Sequence, residues 1–270
     1  MNFDLTGKVA VITGGGGVLC SVLARALAQH GASVAVLDIN LAAAEKVADE
    51  IRTQGGQAIA IQADVLDKES LLAAAQRVTE AFEHMDILIN GAGGNKKEAT
   101  TSDELSFFDL PADAIRWVFD LNFIGTLLPS QIFGRYMVKQ DSGWIINISS
   151  MAAFRPLTRT VAYSPAKAAV SNFTQWLAVH ISQNYSDRIR VNAIAPGFFL
   201  TEQNRFLLMD ERTGELTERG QAIIDHTPIS RFGDPEDLIG AVLWLLSDGA
   251  SFVHGAVIPI DGGFSAFSGV

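Results

Sequence analysis

The sequence predicts an α/β domain, one doubly wound parallel sheet with helices on both faces. Three observations predict it. Short apolar runs alternate with longer segments of helical periodicity along all 270 residues. The short runs are apolar throughout rather than alternating, as in strands covered on both faces. The segments between them are long enough to hold a helix, which makes neighbouring strands parallel and the crossovers right-handed.

The elements follow in order. KVAVIT (8–13) is a buried strand, and SVLARALAQHG (21–31) is a helix stopped by a glycine. SVAVLD (33–38) is a strand, and LAAAEKVADEIRTQGG (41–56) is a helix with a second glycine stop. AIAIQAD (58–64) is a strand, KESLLAAAQRVTEAF (68–82) a helix, and MDILINGAGG (85–94) a strand running into a glycine loop. DLNFIGTLLPSQIF (120–133) reads as a mostly apolar helix. GWIINISS (143–150), RIRVNAIAPG (188–197) and AVIPIDGG (256–263) complete the strands. No linker, charge run or repeat divides the chain. The expectation is one doubly wound domain over 1–270, with a helical lid at about 198–228 whose loop tip is DERTGE.

Composition narrows the function. Hydrophobic residues make up 48% and charged residues 19%, enough for a sizeable core. The N-terminus lacks a secretory pattern, no apolar run reaches a membrane-spanning length, and Cys20 is the single cysteine. The expected location is the cytoplasm, with no membrane contact and no metal. A net charge of −10 argues against nucleic acid as a partner. An anionic small molecule would need a local cluster of cations or backbone N–H groups.

Ligands of such folds bind beyond the C-terminal strand ends. The first strand ends in TGGGGVLC (13–20), where glycines let the backbone approach a phosphate at a helix N-terminus. Alone it could be a plain tight turn. Its place in a strand–turn–helix unit favours a dinucleotide. Expected cofactor contacts here are Gly14, Gly16, Gly17, Val18 and Leu19. Cys20 is assigned close helix–strand packing. Asp38 ends the second strand, where a carboxylate accepts from ribose hydroxyls and repels a 2′-phosphate, favouring NAD over NADP. Asp64 and Val65 are placed at the adenine edge, and Asn90, Gly91, Ala92 and Gly93 form a small-residue floor under the ribose.

Tyr163 and Lys167 stand four apart, on one helix face. The ammonium is expected to lower the phenol pKa, suiting the tyrosine as general acid or base, and to hold a cofactor ribose hydroxyl. Ser150 ends a strand upstream and can bind the same substrate oxygen. Asn122 is expected to hold a proton-relay water, or else to be a satisfied core amide.

Together these residues resemble the short-chain dehydrogenase/reductase family over nearly the whole chain. The matching pieces are Thr13-Gly14, Asp64, NGAG at 90–93, Asn122, Ser150, YxxxK at 163–167 and PGFFLT at 196–201. The resemblance implies a Rossmann fold, a catalytic tetrad of Asn122, Ser150, Tyr163 and Lys167, and a homotetramer. It also implies that Pro196 and Gly197 border the nicotinamide and that Thr201 holds its carboxamide. The chain departs from the family's TGxxxGxG pattern: Val18 and Cys20 stand where glycines belong. Pro165 replaces the usual small residue near a helix start, where proline is tolerated.

A narrower resemblance is to D-mannonate oxidoreductases (fructuronate reductases), carried by GGGGVLC, LNFIGTLLPSQIF, FTQWLAVH, APGFFLTEQNR and DGGFSAFSGV. It implies a sugar-acid substrate. A hexuronate needs cations and amides around the tetrad, and Ser150, Asn95, Arg155, Asn204 and Arg205 are the expected substrate contacts, an arginine holding the carboxylate. His226 is placed on the lid surface. Rival readings are a gluconate 5-dehydrogenase or other polyol or 3-oxoacyl reductase, and a dinucleotide-binding sensor without catalysis.

Overall fold

The computed structural model describes residues 3–200, 205–210 and 212–269. The chain alternates β1 (Val9–Thr13), α1 (Val18–Gln29), β2 (Ser33–Asp38), α2 (Leu41–Thr53), β3 (Ala58–Gln62), α3 (Lys68–Phe82) and β4 (Ile87–Asn90). A long loop leads to α4 (Ala112–Phe119), which passes through a π-helical turn, Asp120–Ile124, into α5 (Gly125–Gln140). Then come β5 (Gly143–Ile148), α6 (Tyr163–Asn184), β6 (Ile189–Pro196), the short α7 (Arg205–Leu208), α8 (Glu218–Asp225), α9 (Ile239–Leu246) and β7 (Val257–Ile260).

The strands form one sheet in the order β3-β2-β1-β4-β5-β6-β7, and every pairing is parallel. Connections turn one way from β1 to β3 and the other way from β4 onward. That reversal opens a crevice between β1 and β4, where such sheets hold ligands. β1 and β4 are buried along their whole length, with one core on each face. One core packs α1, α2 and α9, the other α3, α5 and α6.

Local chemistry sets several boundaries. Asn40 caps α2 by accepting from the Ala43 N–H, and Asp67 caps α3 by accepting from Glu69. Glu83 and Asp141 turn left-handed, with φ of 70° and 56°, and end α3 and α5. α1 starts at Val18, three residues before the expected start, because uncapped Gly17 supplies the extended N-cap geometry. Pro165 falls in the first turn of α6. Among the described residues of the expected lid, 198–228, lie two short helices, α7 and α8, and an antiparallel bridge between Met209 and Leu216.

Candidate active site

A cleft of about 540 Å³ runs across the C-terminal strand ends, from Asp38 to Tyr163. Gly14 turns left-handed (φ 61°), and a Cβ there would lie 2.9 Å from the Ala92 backbone. The loop closes through Gly17 N–H donating to the Gly14 carbonyl at 3.0 Å. The first intrahelical bond of α1 is Ser21 N–H to Gly17 O, so the N–H groups of Val18, Leu19 and Cys20 lie in the unpaired first turn. All three residues line the cleft, offering donors and a positive helix end for a pyrophosphate.

Cys20 occupies the family's third glycine position and packs beneath Gly91, where its sulfur fills the space a Cβ would need. Burial pushes this thiol up to about 12, against the opposing pull of Lys167. Thr13 holds the same loop from the other side: its hydroxyl accepts from Gly91 at 3.1 Å and Ala92 at 3.4 Å.

Asp38 is fixed at both oxygens, by Gly16 N–H at 3.0 Å and Asn40 N–H at 2.9 Å. Gly16 is therefore a support for Asp38, not a cleft wall. Asp64 and Val65 line the cleft, as do Gly91, Ala92 and Gly93. Exposed Ile39 adds an apolar wall beside Asp38 that sequence reasoning missed; its signal was an apolar residue directly after a strand-end acid.

Asn90 corrects the expectation of a ribose floor. It is 1% exposed and donates to Ser130 (2.9 Å) and Asn147 (2.8 Å), tying β4 to α5 and β5. The alternation of side chains along β4 turns it into the sheet interior and away from the cleft.

At the reactive end, Ser150 accepts from Ala152 N–H at 3.1 Å, and its hydroxyl faces Tyr163 closely enough to lower the phenol's pKa. Ser149, its neighbour, instead donates to the Lys167 carbonyl at 3.1 Å and anchors α6. Lys167 is 4% exposed; it donates to the Ile148 carbonyl at 2.8 Å and lies 5.7 Å from the Tyr163 ring centre. Burial lowers the lysine pKa to about 8. Burial also raises the Tyr163 pKa, partly offset by the Ser150 hydrogen bond. The expected lowering by Lys167 is therefore not the dominant effect on the phenol in the free protein.

Asn122 is a satisfied amide, the second of its two expected roles. Its Nδ2 donates to the Gly94 and Val118 carbonyls, both at 2.7 Å, and its Oδ1 accepts from Gly94 N–H at 3.2 Å. The amide is spent on holding the glycine loop. A Cβ at Gly93 would lie 2.7 Å from that Oδ1 and 3.1 Å from Lys167 Nζ, so loop, amide and ammonium are in close contact.

Pro196 and Gly197 line the cleft beside Phe198 and Phe199, two aromatics that sequence reasoning placed only in the lid. Thr201 and Asn204 lie outside the described residues. The other expected substrate contacts are not cleft walls. Asn95 donates to Thr100 within its own loop at 2.9 Å, and Arg205 opens α7 on an exposed position. Exposed Arg155 donates from Nε to the Ser265 carbonyl at 3.2 Å. His226, placed on the lid surface, packs against Phe264 and Phe267 of the C-terminal segment, with ring centres 4.8 and 4.9 Å apart.

A dinucleotide fits this cleft. The glycine approaches at Gly14 and Gly93 leave room that any Cβ would fill, the first turn of α1 presents unpaired N–H groups, and a fixed carboxylate waits at the far end. No group of three or more metal-ligating side chains occurs among the described residues. No described helix is long and apolar enough to cross a membrane.

Comparison with known proteins agrees with this geometry. Residues 19–265 match the family model described as enoyl-(acyl carrier protein) reductase. A crystal structure of a Haemophilus influenzae protein with bound NAD, provisionally named a D-mannonate oxidoreductase, superposes with a TM-score of 0.94. It is 49% identical, over 99% of this chain and 98% of that one. The 7α-hydroxysteroid dehydrogenase of Escherichia coli is 36% identical over 97% of this chain and 96% of its own. The 5-keto-D-gluconate 5-reductase of that organism is 32% identical, with the same coverage of each. The Ser150–Tyr163–Lys167 cluster, the glycine turn before α1 and whole-length similarity lead to one conclusion: the chain belongs to the short-chain dehydrogenase/reductase family.

Proposed function

We propose that this oxidoreductase interconverts a keto sugar acid and its alcohol with NAD(H), the pair being D-fructuronate and D-mannonate. The observation that carries the reaction type is the convergence of Ser150, Tyr163 and Lys167 at one end of a cleft whose other end is Asp38. When bound, the dinucleotide supplies or accepts the hydride. The protein's own groups do the rest. Ser150 orients the substrate oxygen, and Tyr163 gives it a proton or takes one from it. Lys167 supplies positive charge beside the phenol, and Asn122 keeps the glycine loop against both. The sugar-acid reading is supported by the Haemophilus influenzae relative and by exposed cations in the segments that follow β4 and β5: Lys97, Arg155 and Arg159. The 5-keto-D-gluconate 5-reductase similarity favours a second reading, a gluconate-type keto acid on the same residues.

An absorbance assay of NADH oxidation with D-fructuronate, against 5-keto-D-gluconate and a steroid ketone, tests the substrate. No turnover of D-fructuronate sinks that reading. Asp38→Asn keeps the carboxylate's shape and one acceptor but removes its charge. The kcat/KM ratio for NADH over NADPH is expected to fall about tenfold or more, since like charges in contact cost several kcal/mol. An unchanged ratio shows that Asp38 does not set the preference. The proposed location is the cytoplasm and the proposed assembly a homotetramer. Trp176 and Val179 on α6 and Tyr185 just after it leave an exposed apolar stretch, as an interface would. Sedimentation of purified protein is expected to give four copies; a monomer at micromolar concentration refutes it.

A further inference from the structure

The last residues of the chain touch three separate parts of the site. After β7, Asp261 accepts from Gly263 N–H at 3.0 Å and Ser265 N–H at 2.9 Å, folding the chain into a compact turn. Gly262 and Gly263 are left-handed, with φ of 63° and 86°. A Cβ on the first would lie 2.8 Å from Thr227, and on the second 3.2 Å from Pro228, so the turn rests directly on the exit of α8. Ile229 N–H donates to the Gly262 carbonyl at 3.2 Å. Phe264 then packs edge-on to Phe198, a cleft wall, at 5.0 Å and to His226 at 4.8 Å. The Ser265 carbonyl accepts from Arg155, five residues beyond Ser150. One turn thus joins the cleft wall after β6, the loop after β5 and the lid.

We propose that this turn, through Phe264 and the Ser265 carbonyl, is a positioning element of the substrate site: it holds α8 against Phe198 and fixes Arg155, outside the cleft walls, for the anionic end of a substrate that reaches beyond the cleft. The Nε bond to Ser265 O steadies the guanidinium plane and leaves its two terminal nitrogens, the pair that grips a carboxylate, for a ligand. The turn meets the cleft's cofactor residues at Gly197, where a Cβ would lie 2.6 Å from the Asp261 Cα. Loss of Phe264 and the residues after Gly263 leaves Asp261 in place, and therefore weakens substrate binding and spares the dinucleotide. The carboxylate part of the inference rests on the sugar-acid reading, whereas the bracing of the lid does not.

Two tail variants test it, Phe264→Ala and a chain ending after Gly263, each alone and with Arg155→Ala added, beside Arg155→Ala alone. Either tail variant is expected to raise the KM for D-fructuronate on the order of tenfold, about 1.4 kcal/mol, with NADH affinity and kcat little changed. Adding Arg155→Ala should cost less than the single effects combined, because groups acting as a unit are not additive. Hydrogen exchange, which needs no substrate, is expected to quicken in 218–227 and 151–157 of Phe264→Ala while β1 and α1 stay protected. An unchanged KM, or a parallel loss of NADH binding, overturns the positioning role. Unchanged exchange overturns the bracing even if D-fructuronate proves not to be a substrate. A wild type that ignores D-fructuronate but whose variant shows the exchange change sinks the substrate reading alone.

Discussion

Replacing Tyr163 by phenylalanine is expected to cut turnover by about 10²- to 10⁴-fold, the usual weight of a positioned general acid. The substitution removes one oxygen and keeps the ring that lies 5.7 Å from Lys167 Nζ. Packing at the start of α6 is therefore preserved, and NADH should bind as in the wild type. Single-turnover NADH absorbance measures the chemical step, and a fluorescence titration measures binding. Turnover retained by Tyr163→Phe would show that the proton comes from elsewhere. Because burial raises the Tyr163 pKa, the free protein keeps this group protonated at neutral pH, as reduction of a ketone requires.

Lys167→Met is expected to abolish useful turnover and to change how stability depends on pH. Burial lowers the lysine pKa from its usual 10.5 to about 8. The folded chain therefore binds fewer protons than the unfolded chain between those values, and stability rises with pH across that window. Below about pH 8 the buried charge costs about 3 kcal/mol. Methionine removes that cost but leaves the Ile148 carbonyl without its donor, a loss of about 1–3 kcal/mol. The variant should match the wild type near pH 7. The gap should then move in favour of the wild type by about 1.4 kcal/mol per pH unit from about 8 upward. Urea unfolding of both proteins without cofactor at pH 7, 8, 9 and 10 measures this; a pH-independent gap would show that the lysine is not held at a lowered pKa.

Much of this was legible in the sequence because the signals were local. α3 falls at 68–82 as expected, since Asp67 caps it and the chain turns left-handed at Glu83. β2 falls at 33–38 because its apolar run ends on a solvated acid. The pairing of Tyr163 with Lys167 needed only helical spacing. What was not legible depended on the direction of a side chain or on distant partners. Asn90 and Asn122 both carry amides near glycines, yet one faces the sheet interior and the other is consumed by Gly94 and Val118. Neither outcome is visible without knowing strand parity and the path of the loop. Arg155 looked like a free cation because its partner lies 110 residues away. The start of α1 at Val18 was not legible because its N-cap, Gly17, carries no side chain to signal it.

The reversal of strand order between β1 and β4 separates two jobs along the chain. On the proposed reading, the group that chooses the nucleotide comes from the first half, at Asp38, and the groups that meet the ketone come from the second, at Ser150 and Tyr163. Changes in one half can accumulate without disturbing the other, since distant sites contribute almost independently. A scaffold divided this way lends itself to redirection: its taste for one redox currency can be rewritten while its chemistry on the carbonyl substrate is kept, or the reverse.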